Sequence, residues 1–254
     1  MNNWLKGFFN IFLLWLKNVL VTSSKFCGFL ILKYFSLGEK NNKVLSTFGF
    51  GEKDNDLAKN LEVNFGEQLT VINNDILNIN ENLLFDERVT VFGNLPYNIS
   101  TEILSKWIIN LKDNFWFDHL VLMFQKEVAE RIISTSNSST YGRLSILANW
   151  KLDIKKICDI KPESFSPRPK IDSSLLFFTP KKNFYKISDP KNLEKVTRIF
   201  FSQRRKMLKK PFNQLFNGEQ KIISKLKIDL NLRQQNLDFD TYYKLTSEYE
   251  KLRS

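Results

Sequence analysis

Arg88-Val89-Thr90-Val91-Phe92-Gly93-Asn94-Leu95-Pro96-Tyr97 is the stretch that decides the fold. Arg88 to Phe92 is a β-branched and apolar run, as expected of a buried strand. Pro96 fixes φ and removes a donor, so the run must end in a turn. In an open α/β sheet, a turn at a strand's carboxyl end lies where ligands bind. Downstream, Ser100 can cap a helix that carries Ile103, Leu104, Trp107 and Ile108 on one face. Upstream, Asp56 to Phe65 reads as a helix and Leu69 to Ile72 as a strand ending near Asp75. His119 to Phe124 then reads as a buried strand, Lys126 to Ile133 as a helix and Ser134 to Thr140 as a polar loop. Leu144 to Trp150 is expected to be helical, and Ile154 to Ile160 a strand. Pro162, Pro167 and Pro169 mark an extended loop before Leu175 to Phe178 closes the sheet. Strands alternating with amphipathic stretches define an α/β protein. Beyond Pro180 the pattern is helical and basic. The expected organisation is an atypical apolar segment over 1–51, an α/β domain over 52–180 and a basic helical domain over 181–254.

Charge separates these three parts. The net charge is +11 over 254 residues. Residues 1–51 carry 6 basic groups and 1 acidic, and residues 52–180 carry 14 and 18. Residues 181–254 carry 18 basic and 8 acidic groups, a compact block that attracts polyanions. A lysine-rich solvated surface would give the same count. The two cysteines, Cys27 and Cys158, form no close pair, which argues against a disulfide framework or a zinc site and fits a reducing compartment. With His119 as the only histidine, chemistry that needs a histidine dyad is excluded, and His119 itself reads as a strand-start residue.

Asn94-Leu95-Pro96-Tyr97 suits the capture of an exocyclic amine. The N6 lone pair of adenine is delocalised into the ring and is a poor nucleophile. Two acceptors aimed at its two hydrogens pull the nitrogen toward a tetrahedral shape. The Asn94 side-chain oxygen and the Leu95 carbonyl can be that pair, with Pro96 stiffening the turn. Tyr97 offers a face for stacking, worth roughly 1–3 kcal/mol per base. On its own the tetrapeptide is equally a plain Asn-Pro turn.

Its companions in the chain resolve that ambiguity. Phe92 to Ser100 reads FGNLPYNIS, and Gln125-Lys126-Glu127-Val128 and Tyr141-Gly142-Arg143-Leu144-Ser145 follow. Then come Phe165-Ser166-Pro167-Arg168-Pro169-Lys170-Ile171-Asp172-Ser173 and, from Phe201 to Lys206, FSQRRK. In this order, from about Glu52 to the C-terminus, they closely resemble the ribosomal RNA adenine dimethyltransferase family. The arrangement looks more like the universal small-subunit enzyme than the erythromycin-resistance methylases of the large subunit. The resemblance implies a Rossmann-like methyltransferase sheet, S-adenosylmethionine as cofactor and a cytoplasmic monomer. It also implies 16S-type rRNA in the small ribosomal subunit as partner, with no membrane. Glu52 matches the acid that binds the cofactor ribose, and Asp75, followed by Ile76, the residue at the cofactor's adenine. Asn94, Leu95 and Tyr97 match the catalytic turn. Phe165 matches the aromatic that packs on the flipped adenine opposite Tyr97. Arg204, Arg205 and Lys206 match a basic helix that meets rRNA phosphates.

The resemblance stops before Glu52. The family opens with a glycine-rich turn of the E-I-G-P-G-T-G kind, some 20 residues earlier. Here that region reads Gly28-Phe29-Leu30-Ile31-Leu32-Lys33-Tyr34-Phe35. Gly49-Phe50-Gly51 is a lone G-x-G abutting Glu52. Close approach of backbone to a cofactor needs glycine, where Phe or Leu would fill the space. Residues 4–37 are strongly apolar but broken by Lys6, Lys17, Lys25 and Lys33, so no run reaches the ~20 residues of a membrane span. An odd core segment, a membrane anchor and an out-of-frame or replaced N-terminus are the competing readings. The last expects a sheet incomplete at its start and a catalytically impaired RNA-binding or ribosome-assembly protein.

Overall fold

The structure, a computed structural model, describes residues 28–32, 44–49, 63, 69–85, 87–111, 114–165 and 168–253. Glu52 and nearly all of the helix expected over 56–65 lie outside the described residues.

Seven strands form one sheet: β1 (Gly28–Leu32), β2 (Val44–Gly49), β3 (Leu69–Asn74), β4 (Val89–Asn94), β5 (Phe117–Gln125), β6 (Leu152–Ile160) and β7 (Ser173–Pro180). Their order is β3-β2-β1-β4-β5-β7-β6. One rung runs Ile72–Thr47–Phe29–Gly93–Leu122–Leu176. β2 pairs parallel with β3, and β4 parallel with β5. β1 lies between these pairs and is antiparallel to both of its neighbours. Two reversals cancel, so β2, β3, β4 and β5 all point the same way. The sheet is therefore not short of strands at its start, as the sequence suggested. The departure is instead a central strand that runs backwards.

The strand β4 is buried along nearly its whole length, with Val91 at 0% and Phe92 at 2% exposure, as its unbroken apolar run requires. In β5, Leu120 to Phe124 are all buried. β7 lies antiparallel to β5, with Leu122 opposite Leu176. Phe92, Val121, Met123 and Leu175 form a core cluster, and Phe165 and Phe177 pack on it.

The helices are α1 (Ser100–Asn110), α2 (Lys126–Ile133), α3 (Arg143–Lys151), α4 (Pro190–Phe201), α5 (Lys209–Phe216), α6 (Gln220–Leu226) and α7 (Phe239–Lys251). Ile103, Leu104, Trp107 and Ile108 of α1 are all buried, the face that their spacing predicts. The Ser100 hydroxyl, expected to accept from the helix start, instead donates to the Tyr97 carbonyl at 3.3 Å.

The chain divides into two compact units, residues 1–100, 114–126 and 156–178 forming one, and 101–113, 127–155 and 179–254 the other. The core of the second unit is aromatic: Tyr141, Trp150, Phe200, Tyr242 and Tyr249 are each at most 2% exposed. Several buried polar groups find partners there, whereas the Tyr141 and Tyr249 hydroxyls and the Gln234 side-chain oxygen have none among the described residues. Tyr242 donates to the Gln234 carbonyl at 2.8 Å, Tyr243 to Ile146 at 2.9 Å and Trp150 to Tyr185 at 2.8 Å. The polar loop 134–140 is tied down as well. Asn137 takes a left-handed φ of 69°, its N–H donates to Gln235, and its side-chain oxygen accepts from Asn236.

Candidate functional site

The buried run of β4 carries the chain to the sheet edge and releases it at Asn94, itself 7% exposed. Leu95 is fully buried and anchors the turn. Ile99 N–H closes it on the Pro96 carbonyl at 3.1 Å. Tyr97 is half-buried, and its hydroxyl lies 2.6 Å from the Ser173 hydroxyl, so the ring is fixed at both ends.

Ser173 belongs to a short run in which each polar side chain has a task. Asp172 faces Lys161 at 3.1 Å and Lys126 at 3.9 Å, and its carbonyl accepts from the Lys126 N–H at 3.0 Å. Ser173 holds Tyr97. Ser174 donates to Asp159 at 2.6 Å. The run thus ties the sequence-distant Gln125-Lys126 and Asn94–Tyr97 motifs to one strand end. Hydrogen bonds from Lys156 and Ser174, with Lys126 nearby, hold the Asp159 carboxyl down at about 2. Ser173, Ser174, Lys126 and Asp159 escaped the sequence reading as site residues. Lys126 and Ser173 lie in the Gln125–Val128 and Phe165–Ser173 motifs, whereas Ser174 and Asp159 lie in none, and Ser173 is 76 residues from Tyr97.

Phe165 is half-buried, follows a 3-10 turn over Pro162–Ser164, and packs on the cluster that contains Met123. Met123 is registered beside Asn94 in the β4–β5 ladder. The Asn94–Tyr97 turn and Phe165 are therefore built around one strand end. His119 stacks on Phe177 at 5.1 Å, and burial lowers its pKa against the pull of Asp118. Burial, with the Asp159 charge, raises the Cys158 thiol, which is thereby not tuned as a nucleophile.

Asp75 follows β3, and its carboxylate accepts from Leu77 N–H at 2.9 Å, which orients it in a tight turn. Ile76 beside it is 2% exposed. Since β3 and β4 point the same way, Asp75 and Asn94 emerge at one edge. The two strands are three places apart, about 14 Å at the usual strand spacing. That separation and an oriented acceptor suit the adenosine end of S-adenosylmethionine.

Arg204, Arg205 and Lys206 lie in the turn beyond α4, not in a helix, and all three are exposed. Arg204 donates to the carbonyls of Ser139 and Tyr141, each at 2.8 Å, so its guanidinium anchors the Tyr141 motif. Arg205 and Lys206 have no side-chain partner among the described residues. A second basic cluster went unread: Arg143 opens α3, and Lys191, Lys195 and Arg198 share one face of α4. With Glu194 they line a cavity of about 330 Å³. Arg143, Lys191 and Arg198 have no side-chain partner among the described residues. The i, i+4, i+7 spacing on α4 was the available signal. Among the described residues no group of acids, histidines and cysteines could hold a metal, and no helix is long and apolar enough to cross a membrane.

A sheet of this order with an Asn-Leu-Pro-Tyr turn at the end of β4 defines the class of S-adenosylmethionine-dependent methyltransferases with a Rossmann-like fold. A family model described as "Ribosomal RNA adenine dimethylase" matches residues 37–251, starting before Glu52. The chain belongs to the ribosomal RNA adenine dimethylase family, whose cofactor is S-adenosylmethionine and whose substrate is rRNA. It is 68% identical over 202 residues to "Ribosomal RNA small subunit methyltransferase A" of Pelagibacter ubique (strain HTCC1062), covering 80% of this chain and 77% of that protein. The protein of the same name from Wolbachia sp. subsp. Drosophila simulans (strain wRi) is 39% identical over 204 residues, with 79% and 74% covered. Among solved structures, a dimethyladenosine transferase from Plasmodium falciparum superposes with a TM-score of 0.63 at 26% identity, covering 82% of each chain. The 23S rRNA methyltransferase ErmE shares the fold, with a TM-score of 0.55 at 16% identity over 81% of each chain.

Proposed function

We propose that this site is shaped to receive N6 of two adjacent adenines in the rRNA of the small ribosomal subunit, the atoms that take two methyl groups each in this family's reaction, and that the chain is a monomer. The observation that carries the reading is the Asn94–Tyr97 turn at the carboxyl end of a strand buried along nearly its whole length. The Asn94 side-chain oxygen and the Leu95 carbonyl accept from the two N6 hydrogens and localise the lone pair on nitrogen. Tyr97, steadied by Ser173, and Phe165, seated on the Phe92–Met123 cluster, stack on the two faces of the flipped base. S-adenosylmethionine supplies an activated methyl on a sulfonium, so attack needs no prior deprotonation. The protein's contribution is positioning. Arg205, Lys206 and the Arg143–Arg198 cluster hold phosphates and set the register of the RNA. The small subunit as target is supported by the names that the relatives carry.

A binding measurement tests the acceptor half of this reading. A dimethylated adenine has no N6 hydrogen left for Asn94 and Leu95. The chain is expected to bind under-methylated small subunits more tightly than fully dimethylated ones. Asn94→Ala should retain overall affinity but lose most of that discrimination. Equal affinity of the unaltered chain for both subunit forms would overturn the reading.

A further inference from the structure

The direction of β1 determines which edge of the sheet its loops serve. Gly28 is registered with Asn94, and Leu32 with Thr90. The chain thus enters β1 at the edge where Asn94 stands and leaves at the opposite edge, about 13 Å away at ~3.3 Å per residue. β2 begins at that same far edge, since Leu32 pairs with Val44. The connection over 33–43 therefore starts and finishes away from the catalytic turn.

A parallel first strand would leave its loop, and the N-terminus of the helix that follows, at the carboxyl edge. There backbone N–H groups can close on a polar ligand. A hairpin delivers neither group to that edge. The residues that precede Gly28, Ser23-Ser24-Lys25-Phe26-Cys27, include no glycine for close backbone approach. Asp75 and Asn94 remain in place for the adenosine end. Among the described residues, β1 sends no strand exit to that edge to receive the donor's amino-acid end.

From this juxtaposition we infer that the chain keeps its RNA-engaging half complete and lacks the half that retains S-adenosylmethionine. It occupies small-subunit RNA without holding the methyl donor. The RNA part of this inference rests on the function proposed above, and the donor part on strand direction alone.

Equilibrium dialysis with labelled S-adenosylmethionine tests it on the unaltered chain, beside a titration of under-methylated small subunits. Subunit binding without retained label is the expected result. In a chimera, residues 1–51 are replaced by the matching segment of the Pelagibacter ubique protein. The chimera is expected to retain label at least tenfold better and to transfer it to adenine N6. Asn94→Ala in the chimera should abolish transfer but not label retention. Donor retained by the unaltered chain as tightly as by the chimera would overturn the inference and leave the proposed function standing. Failure of both proteins to bind subunits would instead overturn the proposed function. If the chimera does not fold, the unaltered chain decides alone: retained label refutes the inference, and subunit binding without label supports it.

Discussion

Asp159 shows how one residue's surroundings make stability depend on pH. Its carboxyl, held at about 2 by Lys156 and Ser174, would titrate near 3.8 in the unfolded chain. The depressed folded value means that the charged form stabilises the fold. That contribution is complete above about pH 4 and fades as pH falls toward 2. Asp159→Asn is therefore expected to lower the denaturation midpoint near neutral pH, with the gap to the unaltered chain closing in acid. A gap constant from pH 6 to pH 2.5 would show that the ion pairs contribute nothing. At this scale the sequence was informative about chemistry and silent about partners. Asn94, Leu95 and Tyr97 could be read because a strand and a proline announce their place. Ser173 could not be read as the residue that holds Tyr97, because 76 residues separate them. Arg204 reads as one more phosphate ligand in a basic run, and only folding reveals that its Nη2 is engaged by two carbonyls.

Among the elements, α4 carries the most testable construction. Asp189 caps it, accepting from Lys191 N–H at 3.0 Å. Glu250, from α7, accepts from Ser188 N–H at 3.0 Å, Asp189 N–H at 2.8 Å and the Asn192 amide at 3.1 Å. Burial alone would raise the Glu250 pKa, but these donors outweigh it and the pKa falls. Glu250→Ala removes an anion from a helix start and orphans its donors. It is expected to cost about 2 kcal/mol in denaturant unfolding, and an unchanged midpoint would refute this account of the helix start. Element existence was largely legible: α2 spans Lys126–Ile133 as its amphipathic pattern predicts. Strand direction was not. Gly28-Phe29-Leu30-Ile31-Leu32 is an apolar run that reads the same toward either edge, and the antiparallel choice is settled by neighbours on both sides.

For the whole molecule, charge is the property that composition foretold and folding made specific. The basic excess of residues 181–254 could have been an even solvated surface. Instead Lys191, Lys195 and Arg198 meet Arg143 around one cavity. Replacing Lys191, Lys195 and Arg198 together by Gln is expected to weaken RNA binding alike for every sequence. The slope of log K against log salt should become shallower by about 2, at roughly 0.7 per lost contact with single-stranded RNA. An unchanged slope would place the RNA elsewhere.

The tethering of residues 137–141 has a kinetic consequence. Asn137 is tied to Gln235 and Asn236, and the Ser139 and Tyr141 carbonyls to Arg204. A polar stretch of serines and threonines would ordinarily lose much conformational entropy on meeting a ligand. Here that ordering is complete in the free chain, so a ligand that met this loop would meet it without coupled folding. Such an encounter would be governed by diffusion and charge steering.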